Sequence, residues 1–304
     1  VLDPACLEPL RRAGLEPRLD EPLLRHGYWR IGGPADCLVE VPDEERLLAV
    51  MAIGAPVTVL GNGSNSLISD RGVRGLTVRL GGRLRESQLD GDTLTAGGGL
   101  LNAVLLRRAE QAGVGGLTSL AGVPGTVGGA VRMNAGTALG EIGPTVLSVR
   151  VALPGGAVCE LPGSELEFAY RRATLPPGAI VISARLRVCR EGVAEEQAAV
   201  RHHLERRKAT QPLDLPSCGS VFKNPPGHHA GALIERVGLK GRVQGGAAIS
   251  ERHANFIVNQ GGATAMDVLT LIRLAQARVQ GEVGVRLEPE VHAMGDWAPA
   301  EWPP

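Results

Sequence analysis

The chain has 304 residues, 43% of them hydrophobic and 21% charged, with 32 Lys plus Arg balanced by 32 Asp plus Glu. That length and composition indicate two or three compact globular units, and zero net charge gives no general field for a nucleic acid or a membrane surface. Five scattered cysteines without a Cys-x-x-Cys pair indicate neither a disulfide framework nor a zinc site.

Residues 1–30 alternate charge, proline and leucine without the apolar stretch of a signal peptide. The longest apolar run, residues 47–60, is broken by Gly54 and Pro56 and is too short to cross a bilayer. A cytoplasmic location in a reducing compartment and no membrane partner are expected. Residues 37–41 read as a strand, Pro42-Asp43-Glu44-Glu45 opens a helix through Met51, and residues 56–60 form the next strand, a βαβ opening. Strands follow at 76–80, 83–89 and 93–96, the last two joined as a hairpin about Asp90-Gly91. Gly97-Gly98-Gly99 precedes a helix patterned by Leu101, Val104, Leu105 and Ala109 that ends near Gly113. A second hairpin, 146–153 with 157–161, leads through Tyr170-Arg171-Arg172 to a strong strand at 179–188.

The composition changes near Arg190. Beyond it lie a charged helix at 193–208, a helix at 230–237, strands at 247–249 and 255–258, an amphipathic helix from Thr264 to about Val279 and a last strand at 285–291. Residues after Trp297 are expected to fray. The division is an N-terminal segment 1–25, a unit 26–190 and a C-terminal unit 191–304, in a mixed α/β (α+β) class.

Two glycine-rich segments, Gly61-Asn62-Gly63-Ser64-Asn65 and Gly122-Val123-Pro124-Gly125-Thr126-Val127-Gly128-Gly129, expose backbone N–H groups of the kind that bind phosphates, or are ordinary tight turns. Neither is a dinucleotide fingerprint, because Leu67 stands where a third glycine and a helix should begin, and no P-loop occurs. Together they favour a dinucleotide across strand ends. A third segment, Pro216-Ser217-Cys218-Gly219-Ser220-Val221-Phe222-Lys223-Asn224-Pro225, crowds a hydroxyl, an ammonium and an amide between prolines, which suits a positioned proton donor or a surface turn. Adjacent His202-His203 and His228-His229 lack the i, i+4 spacing of a helical metal site, so no metal is expected.

These segments, with Arg30-Ile31-Gly32-Gly33-Pro34, Asn134-Ala135-Gly136, Tyr170-Arg171, Gly245-Gly246-Ala247-Ala248-Ile249 and Leu287-Glu288-Pro289-Glu290-Val291, resemble in order the motifs of the UDP-N-acetylenolpyruvoylglucosamine reductase family. The resemblance runs from about His26 to Val291. It implies a vanillyl-alcohol-oxidase/PCMH-type FAD-binding domain followed by a reductase-type C-terminal α+β substrate domain. Only one helix separates the strand at 179–188 from the serine loop, so the chain resembles the type II members. His26-Gly27-Tyr28-Trp29 departs from the family's His-Thr-Thr-Phe pattern, and no flavin contact is assigned to Tyr28.

What the resemblance implies further is non-covalent FAD, NADPH as co-substrate and reduction of UDP-N-acetylglucosamine enolpyruvate to UDP-N-acetylmuramate in peptidoglycan precursor synthesis. Gly61, Asn62, Gly63, Ser64, Asn65, Gly122, Pro124, Gly125, Thr126, Gly128, Gly129, Asn134, Ala135 and Gly136 match the cofactor segments. Arg171 matches the cation beside a developing aci-carboxylate, Ser220 the proton donor, and Glu290 the glutamate that assists the enolate. Lys208, Lys223, Asn224 and His253 fall where family members meet the sugar nucleotide. Arg206 or Arg207 stand as alternatives to Lys208, and a structural role as the alternative for His253. A monomer or weak homodimer is expected. The competing functions are a flavin oxidase of the same FAD-binding superfamily and a catalytically silent sugar-nucleotide-binding regulator.

Overall fold

Strand-forming stretches rich in Val, Ile and Leu bury their apolar side chains in two separate compact units. The computed structural model describes residues 2–302. One unit comprises the chain up to Leu19, Cys37–Asn62 and Gly75–Arg206; the other comprises Asp20–Asp36, Gly63–Arg74 and the chain from Arg207 on. Compactness therefore changes at residue 206 rather than near 190, and two short earlier segments pack with the C-terminal part.

The first unit contains an antiparallel sheet in the order Val158–Pro162, Val146–Ala152, Ile180–Arg187, Thr93–Gly97, Ser87–Asp90. The expected hairpin is present, with Asp90 opposite Thr93 across a two-residue turn. In a second sheet Val73–Leu80 lies between Pro34–Val41 and Val57–Val59, so the βαβ opening leaves room for a later strand. Val57–Val59 runs parallel to Val73–Leu80, with Val59 opposite Val78. The helix Glu44–Met51 is capped by Asp43, whose carboxylate accepts from the Arg46 N–H, and it buries Leu47, Val50 and Met51. Two apolar cores result, one around Leu105, Val149 and Leu186, the other around Leu10, Val39, Val78 and Ile182.

One expected strand is corrected here. Of residues 83–89 only Ser87–Asp90 pairs, because the chain first turns through a short 3-10 helix at Gly82–Arg85, with the Leu84 N–H donating to the Gly81 carbonyl.

The second unit has a single core containing Trp29, Phe222, Leu269, Ile272 and Leu287. Trp29 explains why residues 20–36 belong there: its indole N–H donates to Ile257 O at 2.7 Å, and the Asn259 amide returns a bond to Trp29 O at 2.9 Å. The helix Ala265–Val283 begins with a capping box between Thr264 and Asp267 and ends at Gly284, one turn beyond the expected limit. Residues 285–291 do not form the expected strand. Proline at 289 cannot donate to a ladder, leaving one bridge between Phe222 and Pro289, and pairing resumes only at His292–Met294, parallel to Ser66–Ile68. The strand expected at 255–258 is Ile257–Asn259, since Asn255 and Phe256 close a turn on His253 and Ser250. Residues 298–302 are tied down rather than frayed, Arg273 donating to Ala300 O and Glu301 O and Arg71 pairing with Glu301, while the rest of that expectation, residues 303–304, lies outside the described residues. The helix Val193–Thr210 buries no residue, as its charge pattern requires.

Candidate active site

Within the first unit is a cleft of about 420 Å³. Gly61, Asn62, Gly98, Gly99, Thr126, Gly128 and Gly129 line it on backbone-rich faces, Leu101, Leu175, Ile180 and Val181 make apolar walls, and Arg79, Arg85 and Arg132 bring positive charge. The closeness of the chain there depends on missing side chains. A Cβ on Gly98 would collide with the Val181 carbonyl, and one on Gly99 would lie 2.6 Å from Leu80 O. Gly98→Ala is expected to lower the melting temperature, the overpacking costing about 1–3 kcal/mol; thermal denaturation of the two proteins checks it.

Arg79 is half-buried, and its guanidinium is held below the usual arginine range chiefly by burial, with Arg85 adding repulsion. Arg85 is paired with Glu40 at 3.1 Å, so the wall keeps a net positive charge smaller than two cations would give, which still favours an anionic ligand. An apolar wall, a glycine floor and this charge fit a dinucleotide with a planar ring and a diphosphate.

Five of the expected cofactor residues, Gly61, Asn62, Thr126, Gly128 and Gly129, line this cleft. Gly122, Pro124, Gly125, Asn134, Ala135 and Gly136 do not. Asn102 holds the glycine loop from behind, its N–H donating to Gly125 O at 3.0 Å. Asn134 is buried with its side chain engaged throughout: the amide donates to Glu141 Oε2 at 2.7 Å and Ala169 O at 2.9 Å, while its oxygen accepts from the Gly143 N–H at 2.9 Å. Its backbone is left-handed, φ 42°. Asn134 thus anchors the turn that presents Arg171. Ala169 and Arg172 close that turn with bonds of 2.9 and 3.0 Å, and Arg171 Nη2 donates to Gly136 O at 3.2 Å. Asn134→Ala should cost about 2–4 kcal/mol, since it strands buried partners as well as removing bonds; chemical denaturation measures it, and a loss below 1 kcal/mol contradicts the anchoring role.

Arg79, Arg85, Gly98 and Gly99 were not among the residues expected from sequence. The signals were an arginine inside an apolar strand and an uninterrupted glycine triplet, both of which also occur for purely structural reasons.

The second unit gathers Gly63, Ser64, Asn65, Ser220, Lys223, Asn224, His253 and Glu290. Gly219 has φ 74°, which glycine adopts without strain and which turns the chain immediately before Ser220. The Cys218 thiol is fully buried, donates to Gly63 O at 3.5 Å, and is pushed up to about 12 by that burial, so it stays protonated. The Glu290 N–H donates to Val221 O at 2.7 Å and the Lys223 N–H to Glu288 O at 2.9 Å. Asn65 reaches the same segment, its amide donating to Glu290 O at 3.0 Å. Ser220 and Glu290 are therefore brought onto adjoining chain segments. Lys223 pairs with Glu288, and Asn224 Oδ1 accepts from the Ala230 N–H at 3.0 Å. His253 is kept below its ordinary value chiefly by burial, and its Nδ1 accepts from the Asn255 N–H at 3.2 Å, so it is neutral near pH 7. Lys208 lies exposed in the last turn of Val193–Thr210.

The FAD binding domain family matches residues 35–162, and the UDP-N-acetylenolpyruvoylglucosamine reductase C-terminal domain matches residues 211–294. A UDP-N-acetylenolpyruvoylglucosamine reductase from Anaeromyxobacter dehalogenans is 47% identical over 298 residues, covering 97% of this chain and 90% of that protein. The chain belongs to the UDP-N-acetylenolpyruvoylglucosamine reductase family. A second such reductase, from Symbiobacterium thermophilum, is 45% identical over 289 residues, 93% of this chain and 94% of that protein. The crystal structure of the family's reductase from Thermus caldophilus superposes with a TM-score of 0.79 at 42% identity, covering 92% of this chain and 98% of that one. The expected architecture, an FAD-binding domain and a reductase-type C-terminal domain, is the one found.

Proposed function

We propose that this chain, as a flavoprotein oxidoreductase of its family, reduces UDP-N-acetylglucosamine enolpyruvate to UDP-N-acetylmuramate with NADPH in peptidoglycan precursor synthesis. In the first unit Gly61, Gly98, Gly99 and Gly128 would allow FAD a close approach, and Arg79 and Arg85 would bring positive charge to it. The second unit takes the sugar nucleotide. FAD, when bound, supplies the hydride that reaches the enolpyruvyl methylene carbon after its own reduction by NADPH.

The chain's own residues handle the charge and the proton. Arg171 accompanies the carboxylate on which negative charge develops, a role for which a guanidinium fork is suited. Ser220 Oγ gives its proton to the neighbouring carbon, and Lys223 stabilises the alkoxide left behind. Glu290 assists at the enolate oxygen beside Arg171. Asn224, His253 and Lys208 contact the sugar nucleotide. One observation carries the assignment of the proton-transfer pair: the 2.7 Å bond from the Glu290 N–H to Val221 O, which fixes the glutamate beside the serine loop within one unit.

The enzyme acts in the cytoplasm as a monomer or weak homodimer of the type II kind. Five free cysteines among the described residues suit a reducing compartment. The test is the visible spectrum of the purified protein under anaerobic NADPH, followed by the enolpyruvyl sugar nucleotide. Bleaching and recovery on substrate addition support the reading; bleaching that oxygen alone reverses points to an oxidase and overturns it.

A further inference from the structure

Phe222 sits in a one-sided arrangement. Its neighbours bond outward to the segment carrying Glu290, Val221 O accepting from the Glu290 N–H and the Lys223 N–H donating to Glu288 O. The backbone N–H and C=O of Phe222 itself point the other way, into the core, where an adjacent strand would ordinarily satisfy them. Among the described residues no strand pairs with them there. Instead the side chain of Asn255 stands in for a peptide group: Oδ1 accepts from the Phe222 N–H at 2.9 Å, and Nδ2 donates to Phe222 O at 2.8 Å. The backbone of the same residue continues the match, its carbonyl accepting from the Val221 N–H at 2.8 Å. Asn255 is only 3% exposed and Phe222 only 1%.

A carboxamide alone offers one donor and one acceptor at the spacing of a peptide bond. Aspartate lacks the donor when ionised, and glutamine carries an additional methylene. The bonds to Asn255 hold two successive residues directly after Ser220, and the first of them, Val221, holds Glu290 by accepting from its N–H. Asn65 closes the arrangement from beyond Glu290, donating to its carbonyl at 3.0 Å.

We infer that Asn255 is a positioning residue that fixes where the Ser220 hydroxyl and Glu290 stand relative to each other, acting through Val221 and Phe222 without touching substrate. The inference rests on the roles proposed above for Ser220 and Glu290. Misplacement of a proton donor by about 1 Å costs on the order of a hundredfold in rate. That loss belongs to the step that consumes the enolpyruvyl substrate.

The test uses the flavin-loaded holoenzyme in three forms, native, Asn255→Ala and Ser220→Ala, with Asn255→Asp replacing the alanine variant should that fail to fold. Stopped-flow spectra separate bleaching by NADPH from recovery on adding the enolpyruvyl sugar nucleotide, and hydrogen exchange follows the amides of Val221, Phe222 and Glu290. Asn255→Ala is expected to slow recovery about a hundredfold through kcat, to change KM less than about threefold, to leave bleaching fast, and to speed exchange at Phe222. In the native holoenzyme those three amides are expected to be among the slowest to exchange, a measurement that requires no variant. Fast exchange at Phe222 in the native protein overturns the inference. So does an Asn255 variant that is less stable yet recovers at the native rate, or one whose loss falls on KM. Ser220→Ala separates the levels: a native recovery rate in that variant overturns the proton-donor reading together with the inference, whereas slow recovery there beside normal recovery in Asn255→Ala overturns the inference alone.

Discussion

Ser220→Ala is expected to bleach normally with anaerobic NADPH and to recover on substrate addition about 10²–10⁴ times more slowly than the native enzyme. The argument is one of local supply. After hydride arrives at the methylene carbon, the adjacent carbon must take a proton from a donor fixed within hydrogen-bond reach, and alanine has none. Serine is a weak acid, so its usefulness depends on neighbours that stabilise the alkoxide, and Lys223 lies three residues on with its ammonium paired to Glu288. Proton exchange offers a second readout: the product formed in deuterated solvent by the native enzyme carries deuterium on one face of that carbon, and the residual product of the variant should lose this facial preference. Recovery at the native rate with intact stereochemistry shows that the proton comes from elsewhere.

Much of the fold was legible because local rules and tertiary packing agree. The period-two runs at Val146–Ala152 and Ile180–Arg187, the hairpin turn after Asp90 and the Thr264 capping box are all places where short-range chemistry decides. The failures lie where a distant segment decides. Residues 285–291 carry strand-like alternation, but Pro289 cannot join a ladder, and the partner of the following strand is Ser66–Ile68, more than two hundred residues earlier. Nothing near Trp29 announces that its indole will bond to Ile257 and draw residues 20–36 into the C-terminal core. For the site, the glycine segments and the serine loop were legible as ordered motifs, whereas Arg79 and Gly98 acquire their meaning only from the strands that pass beside them. Asn255 is the sharpest case. In the sequence it belongs to a strand-like run, and its carboxamide matters because the Phe222 backbone lies opposite without a strand to pair with.

Arg171→Gly separates stability from chemistry, because this position works against the backbone. Arg171 has φ 57°, a left-handed conformation that costs a non-glycine residue about 1 kcal/mol and that glycine adopts freely. Glycine gives back part of that gain through the greater freedom of the unfolded chain. The substitution also removes the guanidinium bond to Gly136 O and the contact over the Tyr170 ring at 4.9 Å, an exposed cation–π contact of about 0.5–1 kcal/mol. The opposing contributions leave a net change in stability within about 1 kcal/mol. Activity should behave differently, falling about 10²–10³-fold, because a charge that develops on the substrate carboxylate loses its cation. Arg171→Lys keeps the charge and the strained backbone but not the planar fork, so its rate should lie between the two. A residue that holds such a conformation only to close the Ala169–Arg172 turn would give the reverse pattern: the glycine variant would be active, and the strain would have no counterpart in the chemistry. Melting curves and kcat for the three proteins, measured side by side, decide between these accounts.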